Sequence, residues 1–358
     1  MFGVFTQWYK RKFSDPNALM LLLLILITTV ILLIWGNILM PVIVAAVIAY
    51  LLDWPVSKMN RRGINRTAAT AITLTVFIVV SILLMIGLVP VIYKQSVNLA
   101  QELPLIWNSG QEWVISLPER YPELVQVEYI KNTMDSVNQH LVSFGQQVIS
   151  VSVNSIGNLA ALLIYMILVP LMVFFMLKDK QLFLASISNV LPKERRLITQ
   201  VGEEMNTQIA NYIRGKVIEI IIVGGVTSAA FAFMELRYAL LLGVLVGFSV
   251  LIPYIGAAVV TIPVAIVALF QFGLTSDFWY LMLVYAIIQA LDGNLIVPIL
   301  FSEAVSLHPL YIIIAVLVFG GMWGFWGVFF AIPLATLVKA VISAWSTPTN
   351  SPEAMLKS

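Results

Sequence analysis

The chain has 358 residues, of which 60% are hydrophobic and 11% are charged, and its formal net charge is +2. A soluble globular domain carries about 25% charged residues, so this composition, with a mean hydropathy of +0.97, excludes both an ordinary soluble domain and a disordered chain. The near-neutral charge makes nucleic acid an unsuitable partner, and the lack of cysteine excludes disulfides, thiol nucleophiles and cysteine-bound metals.

Apolar segments of the length that crosses a bilayer, about 20 residues, follow one another along the chain. The predicted single spans are 18–35, 38–52, 67–93, 151–177, 217–234 and 278–299. Two longer apolar blocks, 238–272 and 309–342, are interrupted at 252–256 and at 320–324. We expect each block to form a helical hairpin, either re-entrant or fully spanning. The predicted fold class is all-α: a polytopic transmembrane helix bundle with two broken or re-entrant hairpins and an extracytoplasmic helical segment.

The placement of Lys and Arg predicts the orientation. Basic residues concentrate in 10–12, 58–66 and 178–216, whereas 94–150 is predominantly acidic. We therefore expect the basic regions and both termini to be cytoplasmic. The predicted divisions are an N-terminal arm with spans 1 to 3 (1–93), an extracytoplasmic amphipathic segment (94–150), span 4 (151–177), a cytoplasmic amphipathic segment (178–216), a transport region with the two hairpins (217–342) and a cytoplasmic tail (343–358).

Two segments outside the predicted spans have apolar residues at helical spacing. In the outer one the residues recur every three or four positions from Val127 to Val151, which is typical of a coiled-coil seam. This seam either packs on a neighbouring helix at 97–114 or joins subunits. In the inner one, the stripe Ile198, Val201, Met205 and Ile209 predicts a helix over 194–213 that lies on the membrane surface.

The sequence contains no recognisable catalytic motif. There is no phosphate-binding loop, no nucleophile elbow, and only two histidines, His140 and His308, which are far apart. We therefore expect no enzyme, no cofactor and no metal site.

An acidic residue within an apolar span is a candidate functional residue because its burial is costly. Asp292 lies in the span 278–299, with Gln289 three residues before it on the same helix face and Asn294 two residues after. Gly293 and Pro298 should loosen the helix and free backbone carbonyls. We expect Asp292, Gln289 and Asn294 to bind a substrate or ion; an interhelical hydrogen bond that holds the bundle together is the alternative.

The interruption of the first block is a second candidate. Pro253, Tyr254 and Gly256 break the helix, and broken helices in transporters expose N–H and C=O groups that bind substrates and ions. The alternative is a turn that is simply buried in protein.

Charged residues near the inner end of span 217–234 form a third group, a gate or an interfacial anchor. It comprises Asn211, Arg214, Lys216 and Glu219, with Lys216 and Glu219 spaced for an ion pair. His308, in a predicted cytoplasmic connection, is placed with this group.

These segments resemble the autoinducer-2 exporter family of permeases, the PerM type. The resemblance runs from about Pro41 to Ala340 and departs from the family pattern at Phe301–Ala304, where members usually have Lys-x-x-Gly. It is carried by Ile38–Leu52, Pro55, Arg61-Arg62-Gly63, Pro170–Asp179, Tyr212–Gly215, Ile252–Gly256, Pro298, Leu307-His308-Pro309 and Ala331-Ile332-Pro333.

The resemblance implies a multi-pass transporter of a bacterial inner membrane and a homo-oligomer, with a pentamer as one form. Its partners would be the lipid bilayer and a small polar solute, a proton or sodium. Members are linked to export of the signal autoinducer-2, and others look like sodium–proton antiporters. Three hypotheses stay open: an alternating-access exporter of a small polar solute such as autoinducer-2, a cation–proton antiporter, and a non-transporting membrane scaffold or channel.

Overall fold

A computed structural model of the chain describes residues 16–115, 159–190, 196–301 and 307–346, and these are almost entirely helical. The helices are α1 (Pro16–Arg61), α2 (Arg66–Ile115), α3 (Leu159–Lys178), α4 (Lys180–Val190), α5 (Arg196–Phe233), α6 (Ala239–Ser249), α7 (Ile255–Phe272), α8 (Ser276–Leu291), a π-helical turn (Asp292–Ile296), α9 (Val297–Phe301), α10 (Pro309–Phe329) and α11 (Ala331–Ser346). The predicted seam at 127–151 and most of the predicted outer segment lie outside the described residues.

Six helical segments in the described part of the chain are long and apolar enough to cross a membrane. They are Ile38–Arg61, Arg66–Glu102, Ile198–Phe233, Ile255–Phe272, Ser276–Phe301 and Pro309–Phe329. Four shorter apolar helices accompany them, at Met20–Gly36, Ile164–Lys178, Ala239–Ser249 and Ala331–Val341. Large apolar side chains cover the outer surface of these helices, so the chain has the all-α, multi-span architecture of a membrane protein.

The first two predicted spans, 18–35 and 38–52, lie in one helix without a loop between them. Leu21 packs with Ile198 and Val201, while the Tyr50 hydroxyl donates to Asn206 Oδ1 at 2.9 Å. A straight helix would separate Leu21 from Tyr50 by about 44 Å, yet their partners on α5 are only about 12 Å apart. The helix therefore bends, and Pro41, which has no N–H to donate to the preceding turn, supplies a physical cause.

Helices α1, α2 and α3 pack together as one group through a common apolar cluster. Ala45 and Val56 of α1, Ala69 of α2 and Val173 of α3 are buried in it. At one end of this group Asp53 accepts from Lys180 Nζ at 2.9 Å and from Arg66 Nη2 at 3.4 Å. These contacts join α1 to α2 and to α4, and Arg66 Nε also donates to the Leu177 carbonyl of α3 at 2.7 Å, at the ends that the charge pattern predicts to be cytoplasmic.

A helix forms over most of the predicted 194–213, but it is continuous with the following span in α5, so its predicted position on the membrane surface is wrong. Its apolar stripe packs against other helices rather than lying on lipid. Ile198 and Val201 are buried with Leu21 of α1, and Leu337 and Val341 of α11 cover the same cluster. The 38 residues of α5 span about 57 Å, so this helix extends well beyond the membrane core.

The first interrupted block forms α6 and α7, and α6 packs closely on α5. A Cβ atom at Gly247 would lie 2.9 Å from Gly224 Cα, and one at Gly243 would lie 2.6 Å from the Ser228 backbone nitrogen. Only glycine fits at such backbone-to-backbone contacts. Val223, Leu242, Val264 and Leu281 then form the shared core of α5 to α8.

The second interrupted block reverses at Gly324, inside the predicted interruption. Gly324 has φ 59° and ψ −134°, a non-helical conformation that favours glycine. On either side, Gly320 faces the Val328 side chain and Gly327 faces the Phe319 carbonyl. Residues eight apart would be about 12 Å apart in a straight helix, so the chain folds back on itself here.

Candidate functional site

One face of α5 carries the polar groups at the centre of the molecule. Tyr212, Lys216 and Glu219 follow one another at spacings of four and three, which places them on one helix face. They are 1%, 4% and 1% exposed, respectively. Lys216 Nζ lies 2.8 Å from Glu219 Oε2, an ion pair without the alignment of a good hydrogen bond. Charged side chains are almost never fully buried unless they are paired.

The break between α6 and α7 lies beside this face. The Lys216 ammonium donates to the Val250 carbonyl at 2.8 Å, where α6 has just ended. Tyr254 has φ 62° and ψ −48°, and the Ile255 N–H donates to the Pro253 carbonyl at 2.7 Å. These values describe a strained γ-turn centred on a residue that is not glycine. The break thus contains a defined turn at 253–255, and the Val250 carbonyl that precedes it accepts a hydrogen bond from a cation.

Asp292 begins the π-helical turn that follows α8. Its backbone carbonyl accepts from the Val297 N–H, five residues on. Pro298, one residue later, has no N–H to continue the α-helical ladder. Single π-helical turns occur frequently at functional sites. The Asp292 side chain is 8% exposed, and its Oδ1 has no hydrogen-bond partner.

These three elements enclose a cavity of about 360 Å³. Its polar lining includes Lys216, Glu219, Gln289 and Asp292. The remaining lining residues are Tyr212, Val250, Ile252, Pro253, Tyr254, Ala257, Gly293, Val297, Phe301, Ile312 and Ile332. A mostly apolar cavity with a few converging polar groups is the usual form of a small-molecule site.

Gln289 connects the cavity to a chain of hydrogen bonds between α8 and α7. Its Nε2 donates to the Tyr285 hydroxyl at 3.0 Å, and that hydroxyl lies 3.1 Å from Thr261 Oγ1. Thr261 Oγ1 in turn donates to the Ala257 carbonyl at 2.7 Å. This bond orients the amide and leaves the Gln289 carbonyl oxygen and one N–H to offer to a ligand.

Five sequence-predicted residues lie outside the cavity lining. Asn294 is exposed and donates to the Ala290 carbonyl at 2.8 Å. Gly256 faces the Ser249 backbone and allows the turn to close. Arg214 and Asn211 bond within α5, by Arg214 Nε to the Ala210 carbonyl at 3.0 Å and Nη2 to Asn211 Oδ1 at 3.5 Å. His308 caps α10, since its Nδ1 accepts from the Leu310 N–H at 3.2 Å.

The site residues predicted from the sequence did not include Tyr212 or the apolar residues Phe301, Ile312 and Ile332, which also line the cavity. The Tyr212 hydroxyl donates to the Phe329 carbonyl at 2.7 Å, at the break between α10 and α11. Phe301, Ile312 and Ile332 complete the wall. The spacing of Tyr212 with Lys216 and Glu219 was the available signal, because it places a tyrosine on the same face as a buried ion pair.

Comparison with known proteins matches this chain to transport proteins. The model of a family described as AI-2E family transporter matches residues 20–347. PerM of Escherichia coli strain K12, named as a permease, is 50% identical over 345 residues, which cover 96% of this chain and 98% of PerM.

More distant relatives cover most of the chain as well. YueF of Bacillus subtilis strain 168, named as a transport protein, is 26% identical over 85% of this chain and 83% of its own. TqsA of Escherichia coli strain K12, named as an AI-2 transport protein, is 23% identical over 86% of each chain.

Proposed function

The chain belongs to the AI-2E family of transporters, and we propose that it is a secondary transporter that exports a small polar solute, such as autoinducer-2, across the bacterial inner membrane by alternating access. The substrate part of the proposal is supported by TqsA, which is named as an AI-2 transport protein. The site we assign is the cavity between α5, the α6–α7 break and the π-helical turn.

The observation that carries the proposal is the unpartnered carboxylate oxygen of Asp292. A buried polar atom without a partner costs about 1–3 kcal/mol, and more when it is charged. Asp292 Oδ1 lines a cavity large enough for a small metabolite. A solute hydroxyl, a cation or a proton that reaches Asp292 would remove this cost, which gives the cavity affinity for something that brings a donor.

The packing suggests which parts move. One core joins α1, α2 and α3, and another joins α5 to α8. We propose that the two hairpins and the helix that carries Asp292 move against the group of α1 to α3. Broken helices near the membrane midplane that rock against a scaffold are the usual basis of alternating access.

The energy for export is within reach of the membrane potential. One positive charge moving down about 100 mV yields about 2.3 kcal/mol. At about 1.4 kcal/mol per tenfold ratio, this supports a gradient of a neutral solute of about 40-fold.

A cation–proton antiporter is the second candidate, and it is favoured by the presence of two carboxylates, Glu219 and Asp292, in one cavity. The antiporter and the exporter can be distinguished with vesicles that contain the purified protein, by measuring which added compound dissipates a pH gradient across the vesicle membrane. Sodium alone would do so for the antiporter, whereas the exporter would require its solute.

Counterflow of labelled autoinducer-2 into proteoliposomes tests the exporter. Asp292→Asn should reduce counterflow at least about tenfold, because a hydrogen bond to a charged group contributes about 1.5–3 kcal/mol. Asp277→Asn is the matched control, since Asp277 lies exposed in the first turn of α8; it should transport at the wild-type rate. Wild-type counterflow by Asp292→Asn would refute the site.

A further inference from the structure

The surroundings of the Lys216 ammonium are those of a bound cation. Its Nζ lies 2.8 Å from the Val250 carbonyl and 2.8 Å from Glu219 Oε2. The ring of Phe301 faces it with the centroid 5.2 Å away. An ammonium has three N–H donors. One bonds the Val250 carbonyl, and the carboxylate and the aromatic face lie close enough to stabilise its charge.

The same ligand types bind metal cations in broken-helix transporters. There, carbonyls at unwound segments and at the C-terminal ends of half-helices coordinate sodium. Val250 directly follows the last residue of the half-helix α6, where the helix dipole is negative. Glu219, which is 1% exposed, adds a carboxylate oxygen 2.8 Å from the ammonium.

We propose that the Lys216 ammonium is a built-in cation that permanently fills a sodium-type site formed by the Val250 carbonyl and Glu219. The wild-type protein then binds no sodium at this site, and removal of the ammonium creates a site that does. This inference deepens the proposed function and rests on it, because it takes the same cavity to be the transport site and identifies what holds its broken helix in place.

The proposal also separates the roles of the two carboxylates. Glu219 is neutralised by a cation on its own helix, so it forms part of the fixed wall of the cavity. Glu219 Oε2 also lacks a hydrogen bond but has the Lys216 ammonium 2.8 Å away. Asp292 Oδ1, which has no hydrogen-bond partner, is therefore the group that remains for a solute or a proton. Coupling to sodium through the Val250 and Glu219 oxygens is excluded as long as Lys216 is in place.

The test compares the purified full-length protein in about 150 mM sodium chloride and in N-methylglucamine chloride at the same ionic strength, so that screening is equal. The readouts are the thermal midpoint of unfolding and direct binding of radioactive sodium. The variants are Lys216→Ala and Lys216→Ser, which leave room for an ion, and Lys216→Ala combined with Glu219→Gln, which removes one ligand. Wild type is the reference.

Lys216→Ala and Lys216→Ser should bind sodium and gain about 2 °C or more in thermal midpoint in sodium relative to N-methylglucamine. Wild type and the double variant should show neither effect. Recovery of a Lys216 variant only in sodium also supports the proposal. Sodium binding by wild type that Glu219→Gln abolishes overturns it. Folded Lys216 variants that ignore sodium, or variants that cannot be recovered in either salt, overturn it as well.

These measurements involve no transport, so they fail independently of the proposed function. Wild-type counterflow together with sodium binding by the wild-type site would retain the exporter and remove the built-in cation. A sodium-binding Lys216→Ala variant without any wild-type counterflow would retain the cation site and remove the exporter.

Discussion

Tyr212 and Lys216 lie one turn apart on α5, and each donates a hydrogen bond to a carbonyl at a helix end, Phe329 at the end of α10 and Val250 directly after α6. The Tyr212 hydroxyl reaches the Phe329 carbonyl at 2.7 Å, and the Lys216 ammonium reaches the Val250 carbonyl at 2.8 Å. Carbonyls freed by a helix break need a partner when they are buried. A single helix therefore contacts both hairpins, one at the α6–α7 break and the other at the α10–α11 junction, which couples the two hairpins through α5.

Removal of the Tyr212 hydroxyl should destabilise the second hairpin. Tyr212→Phe keeps the ring but leaves the Phe329 carbonyl without this donor, so the free energy of unfolding should fall by about 1–3 kcal/mol. Tyr50→Phe is the control, since its bond to Asn206 is exposed and its loss should change stability by less than about 0.5 kcal/mol. Denaturation in detergent measures both, and equal losses for the two variants would contradict the role assigned to Tyr212.

The contact between α5 and α6 should not tolerate a methyl group. Gly247→Ala places a Cβ 2.9 Å from Gly224 Cα and 2.9 Å from the Ile220 carbonyl, and such overpacking costs about 1–3 kcal/mol. Gly225→Ala, on the open side of α5, meets nothing within 4 Å and should be neutral or stabilising by up to about 1 kcal/mol. Thermal unfolding distinguishes the two variants. A Gly247→Ala protein as stable as Gly225→Ala would show that the helices are not in contact here.

Much of the site follows from local sequence signals. The three-residue spacing of Gln289 and Asp292 predicted that they share a helix face, and Pro253 predicted a helix break. All three residues line the same cavity. The expectation that Asn294 lies beside Asp292 overlooked the helical spacing, because residues two apart point to different faces of a helix. Asn294 consequently faces outward.

The central position of Lys216 and the course of α1 were harder to infer. A lysine near the end of an apolar span usually extends its charged end to the membrane interface, and only the fold shows that Lys216 contacts Val250, 34 residues later. Likewise, the sequence predicted separate spans at 18–35 and 38–52, whereas one helix continues from the first to the second. In both cases tertiary packing outweighs a local preference.

The strained turn at Tyr254 provides a separate test of function against stability. Positive φ costs a residue other than glycine about 1–2 kcal/mol, and the Tyr254 side chain is 58% exposed, so it contributes little packing. Tyr254→Gly should raise the free energy of unfolding by up to about 1 kcal/mol, after allowance for the greater freedom of glycine in the unfolded chain. It should also slow counterflow, since Tyr254 lines the cavity.

Tyr254→Phe is the control for that variant. It keeps the ring and the strained turn, so both stability and counterflow should stay near wild type. A Tyr254→Gly protein that is more stable and transports normally would show that the tyrosine at the tip of this hairpin has no part in transport.

The central claim, that the cavity opens to the two sides of the membrane in turn, is tested most directly by the accessibility of a single thiol. The chain has no cysteine, so Gln289→Cys supplies the only thiol in the protein and places it in the cavity, and Asn294→Cys is the control outside the cavity. We expect an impermeant thiol reagent to modify Gln289→Cys from one side without solute and from the opposite side with autoinducer-2 or a changed pH, while the reactivity of Asn294→Cys does not change. Modification of Gln289→Cys from the same side under every condition would contradict alternating access.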